Sequence, residues 1–239
     1  RFLNNARMLC GTSCAVSGSG YLISAKIIEG MGGWQFHTLT EDIQFSTFCA
    51  VHGVRIAYAP AEFFDEQPVG FAASWKQRMR WTKGFYQVFF TYGSQLVKSF
   101  ARHRRFSAYD MFMTIAPGNL ITLISILANG TFLVVGLLSH GFLATDAEID
   151  ACFQSIVASL ATLYETYFVM GLFTMVFERK HIHCKSHLRI LLNVFTFPLF
   201  MLTYIPLIVA ALFLKVDWVP TPHSISLTLD DVVGKAAEA

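Results

Sequence analysis

The stretch GGWQFHTLTEDIQFSTFCAVHG (Gly32–Gly53) holds the decisive pattern. Two glycines mark a turn, an acidic pair follows, and the segment closes on Gly53, a residue type favoured just past a helix C-terminus. A helix over Asp42–His52 is therefore predicted. On either side, Thr12–Val16 and Val54–Tyr58 look like short strands, and Tyr21–Ser24 is a third candidate. Gly30, Gly32, Gly33, Pro60 and Pro68 punctuate turns. Strands alternating with a helix predict an α/β fold for this first part of the chain.

The rest has a different chemistry. Apolar residues make up 54% of the 239 residues and charged ones 14%, against about 25% charged in soluble domains. Mean hydropathy is +0.48. Disorder, a collagen-like fibre and a small disulfide scaffold are excluded, and a membrane protein is favoured. A net charge of +2 argues against a nucleic-acid partner. The five cysteines (Cys10, Cys14, Cys49, Cys152, Cys184) are odd in number and contain no CxxC, which fits neither a disulfide framework nor a zinc site. Twelve of the 18 Lys and Arg lie at or before Arg105, and none lies between Met111 and Phe177. Three apolar runs follow, Ile115–Leu138, Phe153–Phe177 and Leu188–Leu214, each longer than the roughly 20 residues that span a bilayer core. About three transmembrane helices are expected. The loop His140–Ala151 is acidic, while Glu178–Arg189 holds Arg179, Lys180, Lys185 and Arg189. By the positive-inside rule the basic loop and the α/β part are cytoplasmic, so a multi-pass plasma-membrane protein is expected. Pro198 and Pro206 interrupt the third run, which spans, re-enters or lies at the interface; the side of the tail stays open.

Two tripeptide-scale motifs point to chemistry. Thr40-Glu41-Asp42 opens the predicted helix. A bland alternative is a capping box of Thr38 and Glu41, with acids complementing the helix dipole. In a functional reading Asp42 is a general base that takes a proton from an attacking hydroxyl. Thirty-five residues on, Gln77-Arg78-Met79-Arg80-Trp81 places Gln77, Arg80 and Trp81 on one helical face. An amide and a guanidinium suit phosphate oxygens, and an indole gives a flat wall for a sugar ring. The alternative is an amphipathic interfacial helix over 74–110, anchored by Trp75, Phe85, Tyr86, Phe89, Phe90 and Tyr92. Both can hold for one helix.

Gly-Gly-Trp, Thr-Glu-Asp and Gln-x-x-Arg-Trp, in that order and ahead of apolar runs, resemble the family 2 glycosyltransferases. More narrowly, they resemble the membrane-embedded branch, with cellulose, hyaluronan and poly-N-acetylglucosamine synthases and their relatives. The resemblance implies a GT-A-like domain whose C-terminal part covers residues 1–73, an interfacial region over 74–110, a transmembrane region over 111–216 and a tail over 217–239. It implies that Asp42 is the base, that Thr40 and Glu41 shape its site, and that Gln77, Arg78, Arg80 and Trp81 hold the nucleotide diphosphate and flank the acceptor. Cys10-Gly11-Thr12 matches an acceptor-side turn, with Thr12 in place of a serine. Phe63–Pro68 lies where a gating loop is expected, and Trp218-Val219-Pro220-Thr221 matches a late Trp-x-x-Thr segment. The implied partners are a UDP-sugar (UDP-N-acetylglucosamine or UDP-glucose), a glycan acceptor, the lipid membrane and accessory subunits, without nucleic acid. The implied cofactor is Mg2+ or Mn2+. Its Asp-x-Asp ligands do not occur before Asp42, so they are expected upstream of Arg1, in a longer enzyme of which this chain is the C-terminal part.

Other signals point less far. His181, His183, Cys184 and His187 have irregular spacing for a metal site, and a basic loop beside lipid headgroups explains them. Gly18-Ser19-Gly20 lacks the Gly-Lys-Ser/Thr of a phosphate loop. Glu165 sits inside an apolar run and is expected at a helix contact or a polymer channel. The expected function is inverting transfer onto a growing polysaccharide. Alternatives are single-sugar transfer to a lipid-linked acceptor, and a transporter or assembly subunit with a vestigial cytoplasmic domain.

Overall fold

The computed structural model describes residues 2–12, 14–18, 20–61, 65–116, 118–139, 143–182, 184 and 186–219, with backbone alone at 2 and 118–121. The chain forms two compact units, Arg1–Ala116 with Leu207–Ala239, and Pro117–Pro206.

The first unit begins with α1 (Phe2–Leu9) and α2 (Ala25–Gly30). Both stop in the same way. Gly11 and Thr12 return their N–H groups to the carbonyls of Met8 and Arg7 (3.0 and 2.9 Å), and Gly32 and Gly33 return theirs to Glu29 and Ile28 (3.0 Å each). This paired closure needs a left-handed residue, and Gly32 supplies it at φ +74°. The glycines ahead of Trp34 thus end a helix. Trp34 then packs edge-on to Phe36 at 5.0 Å and against Phe45 at 5.6 Å.

Helix α3 (Glu41–His52) matches the predicted helix to within one residue and is closed by Gly53 at φ +76°. The 33-residue α4 (Phe71–His103) and the shorter α5 (Phe106–Ile115) pack on it. Their shared core joins Ile43 and Ala50 of α3, Val88 and Leu96 of α4, and Ala108, Met111 and Ile115 of α5. A second cluster under α3 holds Val16, Phe36, Phe45 and Cys49. Arg7 ties α1 to α5 through Asp110 (3.3 Å) and Thr114 (2.8 Å). Helix α9 (Tyr204–Phe213) joins this unit from Leu207 onward. Lys83 donates to the Ala211 carbonyl (2.9 Å) and Tyr86 to that of Ile208 (3.1 Å). The Ala211 carbonyl belongs to the last turn of α9, where carbonyls lack intrahelical partners, and the Lys83 ammonium there also meets the negative end of the helix dipole.

Cys49 is fully buried, and burial pushes its thiol up to about 12 from 9.0. Because the folded value is the higher one, the stabilisation by the neutral thiol is intact below about pH 9. It is lost as pH rises toward 12, where the unfolded chain ionises first. Iodoacetamide at pH 8 is expected to label exposed Cys10 and to leave Cys49 unmodified until the protein is denatured. Peptide mapping reads this directly, and rapid labelling of Cys49 in the folded protein would contradict the packing under α3.

The predicted α/β fold is not found. Among the described residues there is no strand and no sheet. Thr12, residues 14–16, Tyr21–Ser24 and Val54–Tyr58 are irregular, and their polar groups go elsewhere. The Val16 N–H is donated to Ser46 Oγ (2.8 Å), that of Val54 to the Cys49 carbonyl (2.9 Å), and that of Tyr58 to Met8 Sδ (3.2 Å). Residue pattern selects an extended, half-buried segment, whereas a strand also needs a neighbour for its ladder.

In the second unit α6 (Gly118–Leu138) is followed by α7 (Asp146–Phe177), a 3-10 turn at Arg179–His181, and α8 (His187–Leu202). Helix α7 starts inside the stretch read as an acidic loop. Thr145 and Glu148 form a reciprocal capping box, so Asp146, Glu148 and Asp150 belong to the helix. Gly171 lies against Phe197 where α7 meets α8, and Tyr164 donates to the Phe195 carbonyl (3.1 Å). Glu165 is exposed on α7. The third apolar run breaks at Thr203, between α8 and α9; Pro206 has no N–H to return to Leu202. Among the described residues two stretches are, by length and composition, long and apolar enough to cross a membrane, Asp146–Phe177 and His187–Phe213. The expected third, in α6, has a shorter apolar stretch, Thr122–Leu138. The late segment's Pro220 and Thr221, and the tail beyond Val219, lie outside the described residues.

Candidate active site

The acidic motif is assembled by three separate pieces of chain. Asp42 stands in the first turn of α3. One carboxylate oxygen accepts the Gly18 N–H at 2.7 Å and the other accepts the Ile43 N–H at 2.8 Å. A carboxylate offers about four acceptor positions, so the half-buried group keeps capacity for an incoming hydroxyl. Gly18 has φ +60°, a conformation costly for residues with a Cβ. Sequence reasoning set the Gly18-Ser19-Gly20 segment aside; its role is visible only once residues 14–18 lie along α3. The alternative reading of a Thr38–Glu41 capping box does not hold: Thr38 Oγ1 makes no hydrogen bond among the described residues. Thr40 is the N-cap residue and makes no side-chain cap, and Asp42 itself takes a first-turn N–H.

Helix α4 supplies the second piece. Gln77, Arg80 and Trp81 are half-buried on one face, as the spacing predicts. Arg78 differs: it is 2% exposed, with its guanidinium over the rings of Phe71 (5.7 Å) and Trp75 (5.9 Å). It packs inside the unit, apart from its three neighbours. The stripe of Arg80 continues through Gly84 and Gln87. There Arg80 Nη1 reaches the Leu39 carbonyl at 3.4 Å, and the Leu39 N–H is donated to Gln87 Oε1 at 3.0 Å. A Cβ on Gly84 would sit 2.5–2.9 Å from side-chain atoms of Thr40, so only glycine lets the two segments meet this closely. Neither Gly84 nor Gln87 carried a sequence signal beyond the stripe.

The third piece holds the approach to α3. Gln44 Oε1 accepts the N–H groups of His37 and Thr38, both at 3.0 Å. Tyr21 lies close enough to feel the acids: burial first, then the charges of Glu41 and Asp42, push its phenol up. It therefore stays a hydrogen-bond donor at neutral pH, and like Gly18, Gly84 and Gln87 it was missed by sequence reasoning. Cys10, Gly11 and Thr12 close α1, and Thr12 Oγ1 donates to the Arg7 carbonyl at 3.1 Å. No hydrogen bond among the described residues joins them to Asp42. Phe63 and Phe64 of the expected gating stretch lie outside the described residues, while Gln67 donates to Asp65 at 2.9 Å.

Among the described residues no three His, Cys, Asp or Glu side chains gather as a metal site. His183 lies outside them, and the Arg179 guanidinium meets His187 Nδ1 at 2.7 Å. The residues present thus do not fit the implied divalent ion, and no chemical step is routed through one.

Comparison with known proteins adds an independent line. The family described as glycosyl transferase family group 2 matches residues 2–215. The chain is 30% identical over 154 residues to "Probable glycosyltransferase YdaM" of Bacillus subtilis, covering 62% of this chain and 36% of that protein. It is 31% identical over 87 residues to the poly-beta-1,6-N-acetyl-D-glucosamine synthase of Staphylococcus aureus, covering 36% of this chain and 21% of the synthase. Over 92 residues it is 26% identical to the beta-monoglucosyldiacylglycerol synthase of Synechocystis, covering 38% of this chain and 19% of that enzyme. The matched regions thus span about a fifth to a third of these relatives. No solved structure matches significantly.

Proposed function

The chain belongs to glycosyl transferase family group 2, and from that premise we propose that it forms the acceptor-side part of a membrane-bound inverting glycosyltransferase. A UDP-sugar is the donor, UDP-N-acetylglucosamine or UDP-glucose, and a growing polysaccharide is the acceptor. The acceptor hydroxyl oxygen forms a bond to the anomeric carbon as the bond from that carbon to the diphosphate oxygen breaks. UDP departs, and Asp42 takes the hydroxyl proton. Gln77 and Arg80 face the diphosphate, Trp81 faces the acceptor sugar, and Tyr21 offers a hydrogen bond beside the base. Arg78 packs behind this face, and Cys10, Gly11 and Thr12 belong to the acceptor side. The observation that supports this reading best is the attachment of the segment leading into Asp42 to the α4 face that also bears Gln77, Arg80 and Trp81. The two long apolar stretches and the basic loop between them favour a multi-pass plasma-membrane protein with this site in the cytoplasm. Accessory subunits fit the same reading.

The test is UDP release in membranes carrying the enzyme at its natural length, over a panel of UDP-sugars with magnesium or manganese. Release with one sugar is expected. Arg80→Ala is expected to raise the apparent donor KM by about 10- to 100-fold, the worth of a charge-assisted hydrogen bond. Trp81→Ala should act on the acceptor requirement instead. Normal kinetics in both variants would remove α4 from the site. A second reading, one sugar added to a lipid, draws on the similarity to a protein named for a glucosyldiacylglycerol product. Product length decides: a ladder of sugars for the first, a single addition for the second.

A further inference from the structure

Thr40, Glu41 and Asp42 owe their position to more than their own helix. Residues 32–40 lead into α3 as turn and irregular chain, and segments of this kind are mobile unless tied down. The tie is on α4. Leu39 is bound at both ends of its backbone, its N–H to Gln87 Oε1 (3.0 Å) and its carbonyl to Arg80 Nη1 (3.4 Å). Next to it, Thr40 is 5% exposed and rests on the bare backbone of Gly84. Arg80, Gly84 and Gln87 follow one another at i, i+4 and i+7, so a single helical stripe makes all three contacts.

We propose that Gln87 is a positioning residue for transfer: with Gly84 as its seat, it locks Leu39–Thr40 onto α4 and so fixes Asp42 relative to Arg80. The inference rests on the reading of Asp42 as the base and goes beyond it. A guanidinium has five N–H donors, so Arg80 holds the Leu39 carbonyl and keeps others for a diphosphate. The same side chain then sees both the donor and the segment that leads to the base. Gln87 touches no reacting atom. It acts by supplying the one acceptor that the Leu39 N–H uses.

The experiment compares Gln87→Leu, which removes that acceptor, with Gln87→Glu, which keeps it, in the enzyme at natural length. In Gln87→Leu kcat is expected to fall about 100-fold, the size of a misplacement near 1 Å, with donor KM within about twofold of wild type. Gln87→Glu should retain most of kcat. Deuterium exchange at the Leu39 amide should quicken in Gln87→Leu while exchange in the second half of α3 is unchanged, a readout that does not depend on turnover. Wild-type kcat together with unchanged exchange at Leu39 in Gln87→Leu overturns the proposal. A lowered melting temperature with unchanged kcat per folded enzyme also overturns it, since the residue is then merely structural. Full activity in Asp42→Asn would instead fail the underlying base assignment, and the exchange result would still report on the tie itself.

Discussion

Asp42→Asn is expected to abolish sugar transfer while leaving the fold in place. The amide is nearly the same shape as the carboxylate, and its oxygen still accepts the Gly18 N–H now held at 2.7 Å. The amide nitrogen cannot accept the Ile43 N–H that the second carboxylate oxygen now takes at 2.8 Å, a loss of about 1 kcal/mol, but α3 is still held by its own backbone bonds and by the core that begins at Ile43. What disappears is basicity, since an amide oxygen does not take a proton at neutral pH. Positioned general bases contribute about 10²–10⁴ in rate, so UDP release should drop by about that factor, with the melting temperature lowered by no more than about 2–4 °C. Turnover at the wild-type rate would take the base role away from Asp42.

Gly18→Pro is expected to have the next largest effect, and through the same carboxylate. Proline deletes the N–H that Asp42 accepts and locks φ near −65°, against the +60° seen at Gly18. Activity should fall about 100-fold, the scale of a displaced catalytic group. Gly18→Ala separates the two causes. Its Cβ would meet no atom within 4 Å, so it keeps the donor and adds only the cost of a left-handed residue, about 1 kcal/mol. A loss of a few-fold is expected there. Both variants strain a left-handed position, Gly18→Pro more than Gly18→Ala, so a melting-temperature loss of about a few degrees accompanies them and activity is read per folded enzyme. Equal activity of Gly18→Pro and wild type, read by the same UDP assay, would show that Asp42 needs no help from this segment.

Both predictions turn on contacts that differ in how far the sequence discloses them. Helix α3 was legible because an acidic first turn and a terminal glycine are local signals, and a helix satisfies its backbone within itself. The face of Gln77, Arg80 and Trp81 was legible for the same reason, since helical periodicity fixes it. Arg78 shows the limit. Periodicity separates it from that face, yet only packing shows it buried between Phe71 and Trp75. The strands were misread because their pattern says extended and half-buried. The hydrogen-bond partner that makes a strand lies elsewhere in the chain, and here side chains and helix ends take its place.

The sequence by itself determined the helix over Asp42–His52, the shared helical face of Gln77, Arg80 and Trp81, the apolar second half, the acidic and Gln-x-x-Arg-Trp motifs and the family they resemble. All of these depend on residues within a few turns of one another. Tertiary structure alone decided that Gly18 holds Asp42 across 24 positions, that Gln87 holds Leu39 across 48, and that Gly84 is the seat of Thr40. A backbone N–H is present at nearly every position and a bare glycine surface has no side chain to signal it. Such partners become identifiable only when packing of α3 on α4 brings them within hydrogen-bond or van der Waals reach.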